Sequence, residues 1–85
     1  MSELSDDVIG LVQAVVVPLV DFPDEVNVAL GEEQDDLIAV NISVNEQDAG
    51  KVIGRQGRVI KSIRTLARAA ASKAGVRVEV ELLDS

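Results

Sequence analysis

The sequence predicts a two-layer α+β sandwich, with helices packed on one face of a three-stranded mixed sheet, in the order α-β-β-α-α-β. Three observations carry that prediction. Three short segments alternate apolar with polar residues, as strands with one buried face do, while longer segments repeat apolar residues at helical spacing. The stretch between the second and third strands is long enough to return the chain parallel to itself. Eighty-five residues, 47% of them apolar, make one globular domain with a core of modest size. That single domain is expected to fill residues 1–85, with an ordered core at about 5–83.

The first helix is expected over about residues 5–20. Ser5 is a good N-cap, and Asp6 and Asp7 suit the positive end of the helix dipole. Val8, Ile9, Leu11, Val12, Val15, Val16, Leu19 and Val20 form its apolar stripe, and Pro18 should kink or loosen its last turn. Val26, Val28 and Leu30 then alternate with polar or small residues as a first strand, and Gly31 through Asp36 is a polar turn. Ile38, Val40, Ile42 and Val44 give the most uniform β-branched face in the chain, which places the second strand at the sheet centre. A short helix opens near Asn45 or Asp48, either of which is a candidate cap, and runs to about Ile53. A long helix follows over about Gly57–Ala74, with Ile60, Ile63, Leu66, Ala67, Ala70, Ala71 and Ala74 on its apolar arc and Gly75 as its stop. Val76, Val78, Val80 and Leu82 point inward from a last strand. Each strand has one apolar face, so helices should cover one side of the sheet and water the other.

Composition narrows the chemistry. There is no cysteine and no histidine, hence no disulfide, no thiol nucleophile, and neither the commonest general base nor the commonest transition-metal ligand. No enzyme, cofactor, metal site or small-molecule substrate is expected. The acidic start Met1–Asp7 is unlike an export signal, and the apolar run Val8–Val20 is too short to span a bilayer. A cytoplasmic protein without membrane insertion is expected. Glu32-Glu33 and Asp35-Asp36 lack a calcium-loop pattern and read as a wet turn.

A net charge of −7 argues at first against a nucleic-acid partner. The distribution of charge argues the other way. All eight cations lie between Lys51 and Arg77, and no acid lies between Ala49 and Val78; twelve of the fifteen acids precede that window. With a Debye length of about 8 Å at physiological salt, a ligand at the window feels the local field first, provided the fold keeps the two halves on different faces.

Within the window, Gly54-Arg55-Gln56-Gly57 joins the short helix to the long one. Two glycines three apart permit a sharp bend and let a ligand approach the backbone. The start of the long helix offers free N–H groups and a dipole end to an anion. Arg55 and Arg58 flank the turn and Lys61 lies one turn along. A sugar-phosphate backbone fits such a turn. Alone, a GxxG is a routine helix stop and turn; the basic cluster and the element order favour the phosphate reading. The spacing fits neither a Walker A loop nor GxGxxG, so nucleotide hydrolysis is not supported.

The element order and the string Val52-Ile53-Gly54-Arg55-Gln56-Gly57-Arg58-Val59-Ile60 resemble the KH domain in its bacterial type II arrangement. With Gly50-Lys51 and Lys61-Ser62-Ile63-Arg64-Thr65-Leu66, the resemblance extends to the short one-domain bacterial proteins of the KhpA (YlqC) group. KH domains clamp about four nucleotides with a GxxG loop. The resemblance therefore implies single-stranded RNA in a groove beside the loop, with Lys51, Ile53, Gly54, Arg55, Gln56, Gly57, Arg58, Ile60, Lys61 and Arg64 as the RNA-binding positions. It further implies a homodimer, or a heteromer with a larger KH-containing partner of the KhpB/Jag/EloR type. The roles it implies are post-transcriptional control or RNA chaperoning, linked to cell elongation and division. One departure is Val17-Pro18, where relatives tend to carry a Lys-Ala pair.

Plainer roles compete at several positions. Arg68 and Lys73 read as a solvated helix face, and Ile53, Ile60 and Ile63 as core before base platform. For Ile60 the resemblance also implies dimer contacts, and the alternative reading of the whole surface is a docking face for a partner rather than for RNA. Without aromatic residues near the loop, stacking worth about 1–3 kcal/mol per base is missing. Binding should be weak and sequence-tolerant, resting on a few phosphate contacts and aliphatic packing.

Overall fold

A computed structural model describes residues 2–32 and 34–83. Glu33, part of the expected hairpin turn, lies outside the described residues, as do Met1, Asp84 and Ser85. The elements are α1 (Ser2–Val16), β1 (Asn27–Leu30), β2 (Leu37–Ser43), α2 (Ala49–Ile53), α3 (Arg58–Ser72) and β3 (Arg77–Leu82). The fold is α+β, in the α-β-β-α-α-β order that the hydrophobic pattern requires.

The sheet order is β1-β2-β3. β1 pairs antiparallel with β2, Asn27 opposite Ser43 and Leu30 opposite Val40. β3 pairs parallel with β2, from Leu37 opposite Arg77 to Ile42 opposite Leu82. β2 is central because it alone is apolar enough for its place: Ile38, Val40 and Ile42 are buried under the helices. Its other-face residues Ala39, Asn41 and Ser43 are half-buried. Val8, Val12 and Val16 of α1 and Ile60, Ile63, Ala67 and Ala71 of α3 close the core over Val40, Ile42, Val78 and Val80. Each fully buried Val or Ile contributes roughly 1.5–3 kcal/mol relative to an exposed one.

Three local expectations are corrected. α1 begins at Ser2, not Ser5, so Ser5 is a buried residue inside the helix rather than its cap. The α-helical hydrogen bonding stops at Val16, and Val17–Leu19 continue as a 3₁₀ turn with Pro18 near its start, because a proline lacks the N–H that another α-turn needs. The buried stripe of α3 is narrower than its apolar arc. Leu66 is 46% exposed and Ala70 and Ala74 are exposed, because α3 meets the sheet and α1 along the 60-63-67-71 line only.

The loop after β2 is a 3₁₀ turn, Glu46–Asp48, leading into α2. Asn45 is its cap, the side-chain oxygen accepting the Gln47 N–H at 2.8 Å. Asp48 makes no cap hydrogen bond to α2 and is spent elsewhere. The register places the Gly54–Gly57 turn toward the β2 C-terminal end of the molecule, since α3 runs back from it to the start of β3 beside Leu37.

Candidate nucleic-acid interface

The turn is built from three positive-φ backbones within four residues. Gly54 adopts φ 77°, ψ 173°, Gln56 φ 58°, ψ 26° and Gly57 φ 75°, ψ 14°. Positive φ is the glycine region, and Gln56 is the one non-glycine residue in it among those described. A Cβ on Gly54 would stand 2.3 Å from Val59 Cγ2 and 2.9 Å from the Val59 nitrogen. Val59 therefore locks the turn against α3, a role that the sequence reading did not assign to it. Under Gly57 lies Ile60, whose Cγ2 would be 4.0 Å from an added Cβ and which is only 8% exposed. Ile60 thus supports the turn from the core, while Ile53 is 41% exposed beside it.

The free amides differ from the expectation. Gly57 and Arg58 donate their N–H groups to the Gly54 and Arg55 carbonyls in a 3₁₀ turn. Among the described residues, the Arg55 and Gln56 N–H groups have no acceptor. The donors left for an anion thus sit at the centre of the turn rather than at the first residues of α3. Arg58 Nη2 donates to Gln56 Oε1 at a loose 3.4 Å, and both side chains stay exposed.

The acid-free window does not remain acid-free in three dimensions. Lys51 is ion-paired to Asp21 and, at 3.1 Å, to Asp48. Arg77 pairs with Asp36 at 3.4 Å. Arg64 and Arg68 rim a shallow depression of about 370 Å³ with Glu79, Glu81, Ala39 and Asn41. Arg55, Arg58 and Lys61, all exposed, have no acidic partner among the described residues. These three lie at and just past the turn. Arg64, Arg68 and Lys73 form no ion pair among the described residues either, but Arg64 and Arg68 lie beside Glu79 and Glu81 and Lys73 follows the far end of α3.

Asp48 is the functional neighbour that sequence reasoning missed. Its side chain is fully buried. Oδ1 accepts the Asp21 N–H at 3.0 Å and Oδ2 the Phe22 N–H at 3.0 Å. Burial alone would push this carboxyl up; the Asp21 N–H, the Lys51 ammonium and the Phe22 N–H outweigh it and hold the carboxyl below the usual aspartate range. The carboxylates of Asp21 and Asp48 raise the Lys51 ammonium above its ordinary value against partial desolvation. The sequence signal was the 48–51 spacing, one helical turn.

Beyond the turn, β3 is an edge strand. The Arg77 and Leu83 N–H groups bond to Asp36 and Ile42 beside β2. Residues of the other parity, Val78, Val80 and Leu82, therefore turn their N–H and C=O groups outward. One is occupied: Arg64 Nε donates to the Val80 carbonyl at 3.3 Å. A larger depression of about 460 Å³ lies at the opposite end of the sheet, between the start of α1 and the β1–β2 turn. Its rim carries Asp6, Glu32 and Asp35, which repel phosphate.

The sequence model of the family described as "KhpA/KhpB, KH domain" matches residues 10–82, which spans every element from within α1 to the end of β3. The chain belongs to this family. The RNA-binding protein KhpA of Bacillus subtilis is 46% identical over 74 residues, covering 87% of this chain and 90% of the relative. RNA-binding protein KhpA of Clostridium perfringens is 45% identical over 75 residues, covering 86% and 96%; that of Borreliella burgdorferi is 42% identical over 76 residues, covering 89% and 92%. Among solved structures, Aquifex aeolicus Era bound to GDP.AlF4- superposes with a TM-score of 0.65 at 24% identity, over 88% of this chain and 29% of that one. At that identity the likeness shows the fold alone. A KhpA/KhpB KH domain is a binding domain and not an enzyme. No helix among the described residues is long and apolar enough to cross a membrane.

Proposed function

We propose that this chain binds single-stranded RNA, with the Gly54–Gly57 turn holding one or two phosphates and the strand continuing along the free edge of β3. The observation that carries this reading is the left-handed Gln56-Gly57 turn, whose central N–H groups lack acceptors and which Arg55, Arg58 and Lys61 surround without acidic partners. A phosphate meets both requirements of such a turn, acceptor oxygens and negative charge. Beyond it, the outward backbone groups of Val78, Val80 and Leu82 are placed to meet base edges, and RNA entering there would displace Arg64 from the Val80 carbonyl. The names of the relatives, RNA-binding protein KhpA, support the ligand class. A role in post-transcriptional control or RNA chaperoning, within the cytoplasm and linked to elongation and division, belongs to the same reading.

The test is fluorescence anisotropy with unstructured RNA pools, comparing the native chain with Arg55→Asp/Gln56→Asp. Aspartate tolerates the left-handed region, so the turn should keep its backbone. At least tenfold weaker binding by a variant with native unfolding behaviour is expected; equal binding by both proteins would sink the clamp.

A second reading is that the surface chiefly joins protein to protein, as a homodimer or with a larger KH-containing partner of the KhpB/Jag/EloR type. The half-exposed apolar side chains of Ile53 and Leu66, 41% and 46% exposed, favour it. Sedimentation of the same two proteins separates the readings. A dimer broken by the acidic turn, with no RNA binding by the native chain, would establish the second.

A further inference from the structure

The sequence reading placed Lys51 among the RNA contacts, and the structure gives that lysine other work. Its ammonium bridges the Asp21 carboxylate and Oδ1 of Asp48. Asp48 in turn holds the Asp21 and Phe22 N–H groups, one on each oxygen. Three groups from two distant segments thus converge on one fully buried carboxylate: the Asp21 and Phe22 N–H groups from the stretch that leaves α1, and the Lys51 ammonium from α2. A second link runs in parallel, from Asn45 Nδ2 to Glu25 Oε2 at 2.8 Å.

α2 needs such support. It has five residues, far short of the length at which a helix persists by itself. Its one fully buried side chain is Val52. Yet α2 delivers Gly54, whose N–H closes the helix on the Gly50 carbonyl at 2.8 Å and whose position against Val59 tolerates little displacement. A shift of α2 along its axis is therefore transmitted directly to the phosphate-binding turn.

We infer that the Asp48–Lys51–Asp21 cluster is a positioning device: it fixes α2, and through α2 the Gly54–Gly57 turn, while Lys51 itself touches no phosphate. The inference rests on the RNA-clamp reading for its effect on affinity, but not for its effect on the turn. Removing the cluster leaves the turn's competent geometry as one of several, and apparent affinity falls by the fraction still competent.

Two consequences separate positioning from contact. Asp48→Asn removes a negative charge, so ordinary electrostatics predict tighter RNA binding; a lost anchor predicts weaker binding, by about three- to tenfold. Lys51→Met is the milder variant, because the lysine is partly exposed. As an anchor it lowers affinity while the dependence of log K on log salt keeps its slope. As a phosphate contact it flattens that slope by about 0.7.

The experiment measures both variants and the native chain by salt-dependent RNA anisotropy, and by amide hydrogen exchange without RNA. Expected are weaker binding, an unchanged salt slope for Lys51→Met, and faster exchange at Phe22 and Gly54 in both variants. A flattened slope for Lys51→Met, tighter binding by Asp48→Asn, or native protection at Gly54 would each overturn the inference. Absence of RNA binding by the native chain would instead overturn the clamp, and the Gly54 exchange would still decide whether the cluster positions the turn.

Discussion

Gly54 and Gly57 sit at nearly the same positive φ, 77° and 75°, but an added Cβ would meet very different surroundings. At Gly57 only the left-handed backbone resists, which costs an alanine about 1–2 kcal/mol. At Gly54 the backbone, with ψ 173° rather than 14°, lies in a region essentially open to glycine alone, and an added Cβ would also overlap Val59, including its backbone nitrogen, which cannot swing aside. Gly54→Ala should therefore destabilise the fold more than Gly57→Ala in urea unfolding. Adding Val59→Ala should recover part of the difference and not all of it, since the backbone overlap remains. If Gly57→Ala proved the costlier, the packing of Val59 would not be what holds the turn. The two glycines were legible in the sequence as a pair; their unequal roles were not, because the second depends on which α3 side chain folds back onto the turn.

Between elements, the decisive contacts are polar. Asp48 ties α2 to the segment after α1, and its ionisation is linked to folding. Its carboxyl is held below the usual aspartate value of about 3.9 in the folded protein. Its contribution is thus fully present above that value and is lost as pH falls through the depressed folded one. Lys51, raised above its ordinary value of about 10.4, contributes fully below that value and loses its contribution as pH rises through the folded one. The melting temperature of the native chain should exceed that of Asp48→Asn by a constant margin between about pH 5 and 9, and the margin should shrink on acidification below about pH 4. A margin independent of pH down to 2 would contradict the linkage. The sequence left Asn45 and Asp48 both open as caps: an Asp before a short helix has a local use in most contexts, and here that use is taken by Asn45, one turn earlier.

For the whole molecule, the question is how a chain of net charge −7 could bind the polyanion proposed as its ligand. The cations are clustered in sequence, but acids from three other segments return to Lys51 and Arg77, and Glu79 and Glu81 rise beside Arg64 and Arg68. At the turn itself, Arg55, Arg58 and Lys61 remain without an acidic partner among the described residues. Three to four phosphate contacts on a single strand give a salt slope of about −2 to −3, or roughly 20- to 50-fold weaker binding between 50 and 200 mM salt. A slope steeper than about −4 would mean that Arg64, Arg68 or other cations also reach the RNA. The affinity itself should be modest. The single aromatic, Phe22, belongs to the segment anchored by Asp48 rather than to the turn.

By itself the sequence determined the element order, the central place of β2, the parallel return of β3 and the site of the turn. Each of these follows from local periodicity and from glycine, which act over a few residues. It also identified the family, whose string of residues about the turn is unbroken from Val52 to Ile60. Only the tertiary structure decided which cations keep their charge for a ligand, which side chains of α3 are core, and what holds α2 in place. Those outcomes depend on pairs distant in sequence, Asp48 with Asp21 and Phe22, and Lys51 with Asp21. A pattern read along the chain carries no information on pairs that only folding brings within 3 Å.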